Sequence, residues 1–270
     1  MRKLADRVAV VTGSASGIGR ATAVLLAREG CDLALADVDE VGMAETAAQV
    51  RELGRTVTTH VVDVADKARM QAFADEVITE HGDVHVLINN AGVSVTSSLA
   101  DQSLEDFEWI VGINFWGVVY GCKFFLPHLQ RAGGATIVNL SSMFGLIGLP
   151  TQSSYCATKF AVRGFSESLA AELVHHDIDV ISVHPGGIAT NIVRSGRFLD
   201  TDKQAKTAKW FERFAMPPEQ AAKQIVDGIK SRKSRVVITR EAVLTDLLKR
   251  AYPSIPPRAV AWAQHKLLGK

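Results

Sequence analysis

Apolar positions along the chain follow two alternating rhythms. Short runs rich in Val, Ile, Leu and Ala occupy Arg7 to Thr12, Asp32 to Ala36, Val57 to Val62, Val84 to Ile88, Ala135 to Leu140, Asp179 to Val183 and Arg235 to Ile238. Each has the length of a strand. Between them, apolar residues recur at three- and four-residue spacing from Gly17 to Glu29, Glu40 to Leu53, Lys67 to Glu80, Leu104 to Gln130 and Ser153 to His175. That spacing gathers apolar side chains on one face of a helix, and Gly30, Gly54 and Gly82 close the first three. Ser103 with Asp106 makes a cap for the fourth. Strands alternating with helices predict parallel pairing through right-handed crossovers. The nearly continuous apolar runs at Val84, Ala135 and Asp179 fit strands covered on both faces. The expected fold class is α/β: a doubly wound, seven-stranded parallel sheet flanked by helices, in a single domain over residues 1–270. In such a sheet, ligands bind beyond the C-terminal ends of the strands.

Composition bounds the partners. Hydrophobic residues make up 47% of the 270 positions and charged residues 22%, ordinary values for a globular domain. A formal net charge of +1 provides no field for nucleic acid, and none is expected as a partner. Cys31, Cys122 and Cys156 are an odd set without ligand spacing, so neither disulfides nor a metal site is expected, and a reducing compartment fits best. The basic N-terminus leads into a short apolar run broken by Gly and Ser, unlike a signal peptide. No uninterrupted apolar stretch approaches the roughly 18 residues of a membrane span. A soluble, cytoplasmic protein is expected.

The first strand is followed by Thr12-Gly13-Ser14-Ala15-Ser16-Gly17-Ile18-Gly19. Glycines at a strand-to-helix turn let the backbone approach a pyrophosphate, and the helix N-terminus offers free N–H groups and positive dipole. The spacing is GxxxGxG; a purely structural tight turn is the alternative. Asp37 ends the second strand, 18 residues after Gly19, where a carboxylate can accept from both hydroxyls of an adenosine ribose. Val38 follows it, so the cation that would greet a 2′-phosphate is missing there. A Rossmann-type site binding NAD, with NADP disfavoured, is the expectation. The alternative for Asp37 is a cap on the following helix. Arg20 is either a phosphate partner or, as preferred, an ordinary helix-face cation.

Tyr155 and Lys159 lie four residues apart on a predicted helix, one turn apart on one face. An ammonium beside a phenol favours the phenolate, so Lys159 is expected to move Tyr155 from its ordinary pKa of about 10 toward working pH. A phenol so tuned exchanges a proton with an alcohol or carbonyl oxygen. Ser141 and Ser142 end the fifth strand, where a hydroxyl can bond the substrate oxygen. Asn114 is a poor helix former within a helix; its amide either holds a water linking Lys159 to solvent or is satisfied by local backbone.

Taken together, the glycine turn, Asn89-Asn90-Ala91-Gly92, Asn114, Ser142, Tyr155, Lys159 and Pro185-Gly186 resemble, in order and spacing, the short-chain dehydrogenases/reductases. The resemblance runs from about Arg7 to Thr190. It implies a nicotinamide-dependent oxidoreductase acting on CH–OH groups, with Tyr155 as acid/base and Lys159 orienting the ribose and lowering the tyrosine pKa. It further implies Ser142, thirteen residues before the tyrosine, as the oxygen-binding hydroxyl and Asn114 as a proton relay. Cofactor contacts implied are Gly13, Ser16, Gly17, Ile18 and Gly19 at the phosphates, and Asp37 at the ribose. Asp63 and Val64 would meet adenine and Asn90 would lie beside a ribose, with Ala91 and Gly92 as further cofactor contacts. Ile188 would touch the nicotinamide carboxamide and Thr190 the same end of the cofactor, with Pro185 and Gly186 as further cofactor contacts. A homotetramer or dimer built on the two long helices is implied as well. A non-catalytic dinucleotide-binding protein of the same fold is the alternative.

Substrate identity should lie in Met143 to Gln152 and in a lid spanning about residues 187–216. These carry Met143, Phe144, Ile147, Leu149, Ile192, Val193, Phe198, Trp210, Phe211 and Phe214, which suggest an apolar secondary alcohol or ketone. Arg194, Arg197, Lys203, Lys206 and Lys209 read as the lid's solvated face. The tail, about residues 241–270, is broken at Pro253, Pro256 and Pro257. It is expected to pack on another subunit, with a membrane surface as the alternative.

Overall fold

The computed structural model describes residues 2–192, 196–198 and 215–268, with side chains as far as residue 262. In chain order the elements are β1 (Val8–Thr12), α1 (Gly17–Arg28), β2 (Asp32–Asp37), α2 (Glu40–Glu52), β3 (Val57–Val61), α3 (Lys67–His81), β4 (Val86–Asn89), β5 (Val95–Thr96) and α4 (Leu104–Val111). There follow α5 (Gly117–Ala132), β6 (Ala135–Leu140), α6 (Ser153–Glu172), β7 (Ile178–Pro185), β8 (Arg197–Phe198), α7 (Pro218–Lys230), β9 (Arg235–Ile238), α8 (Arg240–Ala251) and α9 (Pro257–Leu268). Seven strands pair in parallel in the order β3-β2-β1-β4-β6-β7-β9. The order reverses direction between β1 and β4, so loops leaving those two strands diverge and open a crevice.

The two-residue period of each strand sorts its side chains between two cores. Val11, Ile88, Val138 and Ile181 join one core with Leu26 of α1 and Ile225 and Ile229 of α7. Val10, Leu87, Ile137 and Val180 join the other, with Phe73 of α3, Phe125 of α5 and Val162 of α6. Phe73 and Phe125 meet edge to face at 5.4 Å, the geometry favoured by opposed ring quadrupoles. Helix starts are fixed locally: Asp39 accepts from Gly42 N–H, Asp66 from Ala68 and Arg69, and Ser103 from Asp106 at 3.1 Å.

Four features depart from the sequence-based expectations. The helix anticipated from Leu104 to Gln130 contains a π-helical segment, Gly112–Trp116, with Asn114 buried inside it. Over its full length, Leu104–Ala132, it is long and apolar enough to cross a membrane, yet Ile110, Val118, Cys122, Phe125 and Leu129 are buried in the domain. A two-stranded parallel sheet joins β5 to β8, pieces too short to show a period. Arg197 is not on a merely solvated face: its guanidinium stacks 3.8 Å over the Trp109 ring and pairs with Asp106. The tail is helical on both sides of its proline break. Val193, Arg194, Lys203, Lys206, Lys209, Trp210, Phe211 and Phe214 lie outside the described residues.

Candidate active site

The glycine turn is stitched to the end of β4. Thr12 Oγ1 accepts from Asn90 N–H at 3.0 Å and from Ala91 N–H at 3.1 Å. In return, the Asn90 side-chain amide donates to the carbonyls of Thr12 and Gly13, both at 2.9 Å. The turn is so tight that a Cβ at Gly19 would stand 2.0 Å from the Gly13 carbonyl oxygen. Gly13 has φ +65° and Gly17 φ +54°, and a Cβ at Gly17 would strike Thr190 at 2.9 Å. Glycine is needed at these positions for backbone shape and for space. At the start of α1, Ser16 makes no side-chain cap and no acidic residue occupies the first turn. The first N–H groups of a 12-residue helix, with Ile18 half-buried beside them, therefore remain available to an anion.

Asp37, at the end of β2, accepts from Ala15 N–H at 2.8 Å and from Asp39 N–H at 3.0 Å. It does not cap α2; Asp39 does. Its carboxylate is fixed against the glycine turn, and Val38 beside it is 66% exposed. Arg20 donates to Gly42 carbonyl at 3.0 Å and to Glu45 at 2.8 Å, binding α1 to α2 as a structural cation. Asp63 is exposed and accepts from Ala65 N–H at 2.9 Å. Val64 is buried against Gly117 of α5. These residues, the uncapped helix start and the glycine cradle fit a dinucleotide.

Tyr155 and Lys159 share a face of α6, as their spacing requires. Lys159 Nζ donates to the Leu140 carbonyl at 2.9 Å and lies 5.6 Å from the centre of the Tyr155 ring. Gly92 completes the group: a Cβ there would stand 3.2 Å from Asn114 Oδ1 and 3.5 Å from Lys159 Nζ. The two serines separate by role. Ser141 is buried, its hydroxyl donating to the Lys159 carbonyl at 2.8 Å. The Ser142 hydroxyl accepts from Phe144 N–H at 3.1 Å and lies on the Tyr155 side, where it favours the ionised phenol.

The electrostatics correct one expectation. Burial pushes Tyr155 up to about 12, with the Ser142 hydrogen bond pulling the other way. Burial also lowers Lys159 to about 8. In the protein alone, desolvation is the largest influence on the phenol, which is neutral at pH 7. Asn114 is tied to the segment after β4 and to α6, not to the backbone of its own helix. Its oxygen accepts from Val93 N–H at 2.8 Å, and its amide donates to Val93 carbonyl at 2.9 Å and Thr158 Oγ1 at 3.3 Å.

On the opposite wall, Gly186 N–H donates to Ile238 carbonyl at 3.0 Å, and Gly187 N–H to Glu241 Oε1 at 3.0 Å. Pro185 ends β7, and Ile188 is buried and bridges to Met216. Thr190 sits over Gly17. Phe144 meets the Tyr155 ring edge-on at 6.0 Å, and Met143 Sδ takes a contact from Thr245 Oγ1 at 3.6 Å. Glu241, Thr158 and His184 were not singled out from the sequence. His184 alone left a signal there, as a lone imidazole in the apolar run before Pro185-Gly186.

Comparison with known proteins agrees with this geometry. The short chain dehydrogenase family profile matches residues 7–198. A putative oxidoreductase, SadH, of Mycobacterium tuberculosis is 43% identical over 265 residues, covering 97% of this chain and 96% of the relative. A levodione reductase of Leifsonia aquatica is 34% identical over 230 residues, covering 82% and 86%. The crystal structure of a short chain dehydrogenase/reductase from Burkholderia phymatum in complex with NAD superposes with a TM-score of 0.86 at 30% identity. That alignment covers 93% of this chain and 95% of that one.

Proposed function

The chain belongs to the short-chain dehydrogenase/reductase family and is a nicotinamide-dependent oxidoreductase of CH–OH groups; from this we propose that it uses NAD to interconvert an apolar secondary alcohol and its ketone. One observation carries the mechanism: the Tyr155 phenol, the Ser142 hydroxyl and the Lys159 ammonium converge beyond β6. When bound, the nicotinamide supplies the hydride acceptor for oxidation and the hydride donor for reduction. Gly13, Ser16, Gly17, Ile18 and Gly19 would hold its phosphates, and Asp37 the adenosine ribose. Asp63 and Val64 would hold adenine, and Asn90, Ala91, Gly92, Pro185, Gly186, Ile188 and Thr190 the remainder.

In this reading the Ser142 hydroxyl holds the reacting oxygen and Tyr155 exchanges a proton with it. A phenol neutral at pH 7 is ready to donate to a carbonyl oxygen. For oxidation it must first lose its proton, which positive charge beside it assists. Lys159 spends one N–H on Leu140 and keeps the others for a ribose hydroxyl. Asn114 holds the Val93 backbone beside Lys159. Asn114, buried beside Lys159, would relay protons between that ammonium and solvent, its Oδ1 keeping one lone pair beyond the bond from Val93 N–H.

NAD is supported by the Asp37 carboxylate and the uncharged Val38 beside it, and by the NAD-bound neighbour. An apolar substrate is supported by Met143, Phe144, Ile147 and Leu149 in the segment after Ser142. A homo-oligomer, tetramer or dimer, is supported by the stacked row Trp116, Tyr120 and Phe124, whose first ring is 45% exposed. A cytoplasmic site of action agrees with three free, buried thiols. The test is a panel of secondary alcohols and ketones, including cyclopentanol and 2-octanol, run with NAD and NADP in parallel. Turnover of neutral apolar members with NAD is expected; turnover of strongly anionic substrates alone would overturn the substrate class.

A further inference from the structure

His184 lies in β7, fully buried, one residue before Pro185-Gly186. Its Nδ1 is 3.1 Å from the Ser142 carbonyl oxygen and its Nε2 is 2.9 Å from Ser182 Oγ. A carbonyl oxygen only accepts, so Nδ1 carries the proton; Nε2 is then a lone pair that accepts from the Ser182 hydroxyl. Burial lowers His184 to about 4, which keeps the ring neutral at pH 7 and this tautomer in place.

The Ser142 carbonyl has two lone pairs. One accepts from Gly145 N–H at 2.9 Å, a bond internal to the short 3-10 turn Met143–Gly145. A bond within the turn cannot set where the turn sits on the sheet. The bond from His184 crosses from β7 and can. It is accepted by the same residue whose hydroxyl faces Tyr155, so the relay Ser182, His184, Ser142 ties the oxygen-binding group to β7, an interior strand.

We propose that His184 is a positioning residue for the reaction: its Nδ1–H anchors the Ser142 main chain and so fixes the Ser142 hydroxyl against the Tyr155 phenol. This rests on the role given to Ser142 above. Small misplacements of a reacting group are costly, and loss of the anchor should lower kcat by about ten- to a hundredfold. The KM for NAD should stay within about twofold, because the glycine turn and Asp37 are untouched.

Asn and Gln separate positioning from mere core filling. Asn places its amide N–H near the position of Nδ1, whereas Gln places it near Nε2. Oxidation of 2-octanol or cyclopentanol with NAD is measured for His184→Asn, His184→Gln, His184→Leu and Ser142→Ala. The inference expects Asn to keep most of kcat while Gln and Leu lose it. Equal loss in Asn and Gln with NAD binding intact would reduce His184 to a packing role and overturn it. If Ser142→Ala keeps full activity, the Ser142 reading fails and takes the inference with it. If Ser142→Ala is inactive while Gln and Leu variants keep wild-type kcat, the His184 inference alone fails. Should the variants not fold, nitrogen-15 NMR of histidine-labelled wild-type protein at pH 7 decides. A neutral Nδ1–H tautomer supports the anchor, and an Nε2–H tautomer contradicts it.

Discussion

Lys159 Nζ stands 5.6 Å from the centre of the Tyr155 ring while donating to the Leu140 carbonyl at 2.9 Å. A buried cation is thereby held under a phenol at a cost in stability. Its pKa of about 8 lies below the ordinary lysine value, so the unfolded chain binds the extra proton between about pH 8 and 10.5. Stability from this group is thus present above pH 10.5 and lost as pH falls through 8. Relative to wild type, Lys159→Met should be about 3 kcal/mol better off at pH 7 than at pH 10.5, from 1.36 kcal/mol per pKa unit, with a pH-independent loss from the broken Leu140 hydrogen bond set against it throughout. That advantage should shrink as pH rises to 10.5, and activity should be lost throughout. Chemical denaturation of both proteins across this range checks it.

The adjacent serines should give opposite phenotypes. Ser142→Ala removes the hydroxyl facing Tyr155 and should lower kcat by roughly a hundredfold or more with little change in melting. Ser141→Ala leaves the Lys159 carbonyl without its hydroxyl donor. It should cost about 1–3 kcal/mol of stability and spare most of kcat. Thermal melts beside steady-state assays separate the two.

Two glycines to alanine should also diverge. Gly19→Ala drives a Cβ to 2.0 Å from the Gly13 carbonyl and should abolish NAD binding or folding. Gly164, exposed within α6, has nothing within 4 Å of its would-be Cβ. Gly164→Ala should stabilise by about 0.5–1 kcal/mol, the ordinary gain for alanine within a helix. Urea titration and NAD-induced fluorescence quenching measure the pair.

Cofactor choice should turn on Asp37 and Val38. Asp37→Asn keeps an acceptor for Ala15 N–H while removing the charge, and Val38→Arg places a cation at an exposed position. The double variant should shift the NAD-to-NADP ratio of kcat/KM by roughly a hundredfold, about 2.7 kcal/mol, toward NADP.

Much of the sheet was legible because most of its strands are apolar runs separated by helical spacing that glycines close, and parallel order follows from alternation. The π segment at Asn114 was not, since the stretch around it is apolar almost throughout and hides the phase shift that one extra residue makes. Nor were Val95–Thr96 and Arg197–Phe198, which are shorter than any period. In the site, Tyr155 and Lys159 showed themselves by spacing, but the sequence counts charges and not burial, so the upward shift of Tyr155 had no trace there. Nor had the reach of His184 to the Ser142 carbonyl, a contact between segments distant in sequence, whereas Ser142 was told from Ser141 by the family's thirteen-residue spacing to the tyrosine.

The central claim is that Tyr155 moves the proton. The most direct measurement is kcat for Tyr155→Phe with NAD and a turned-over secondary alcohol, beside its affinity for NAD. A loss of about a thousandfold or more in kcat with NAD affinity unchanged is the expected result. Activity within a few-fold of wild type would contradict the account.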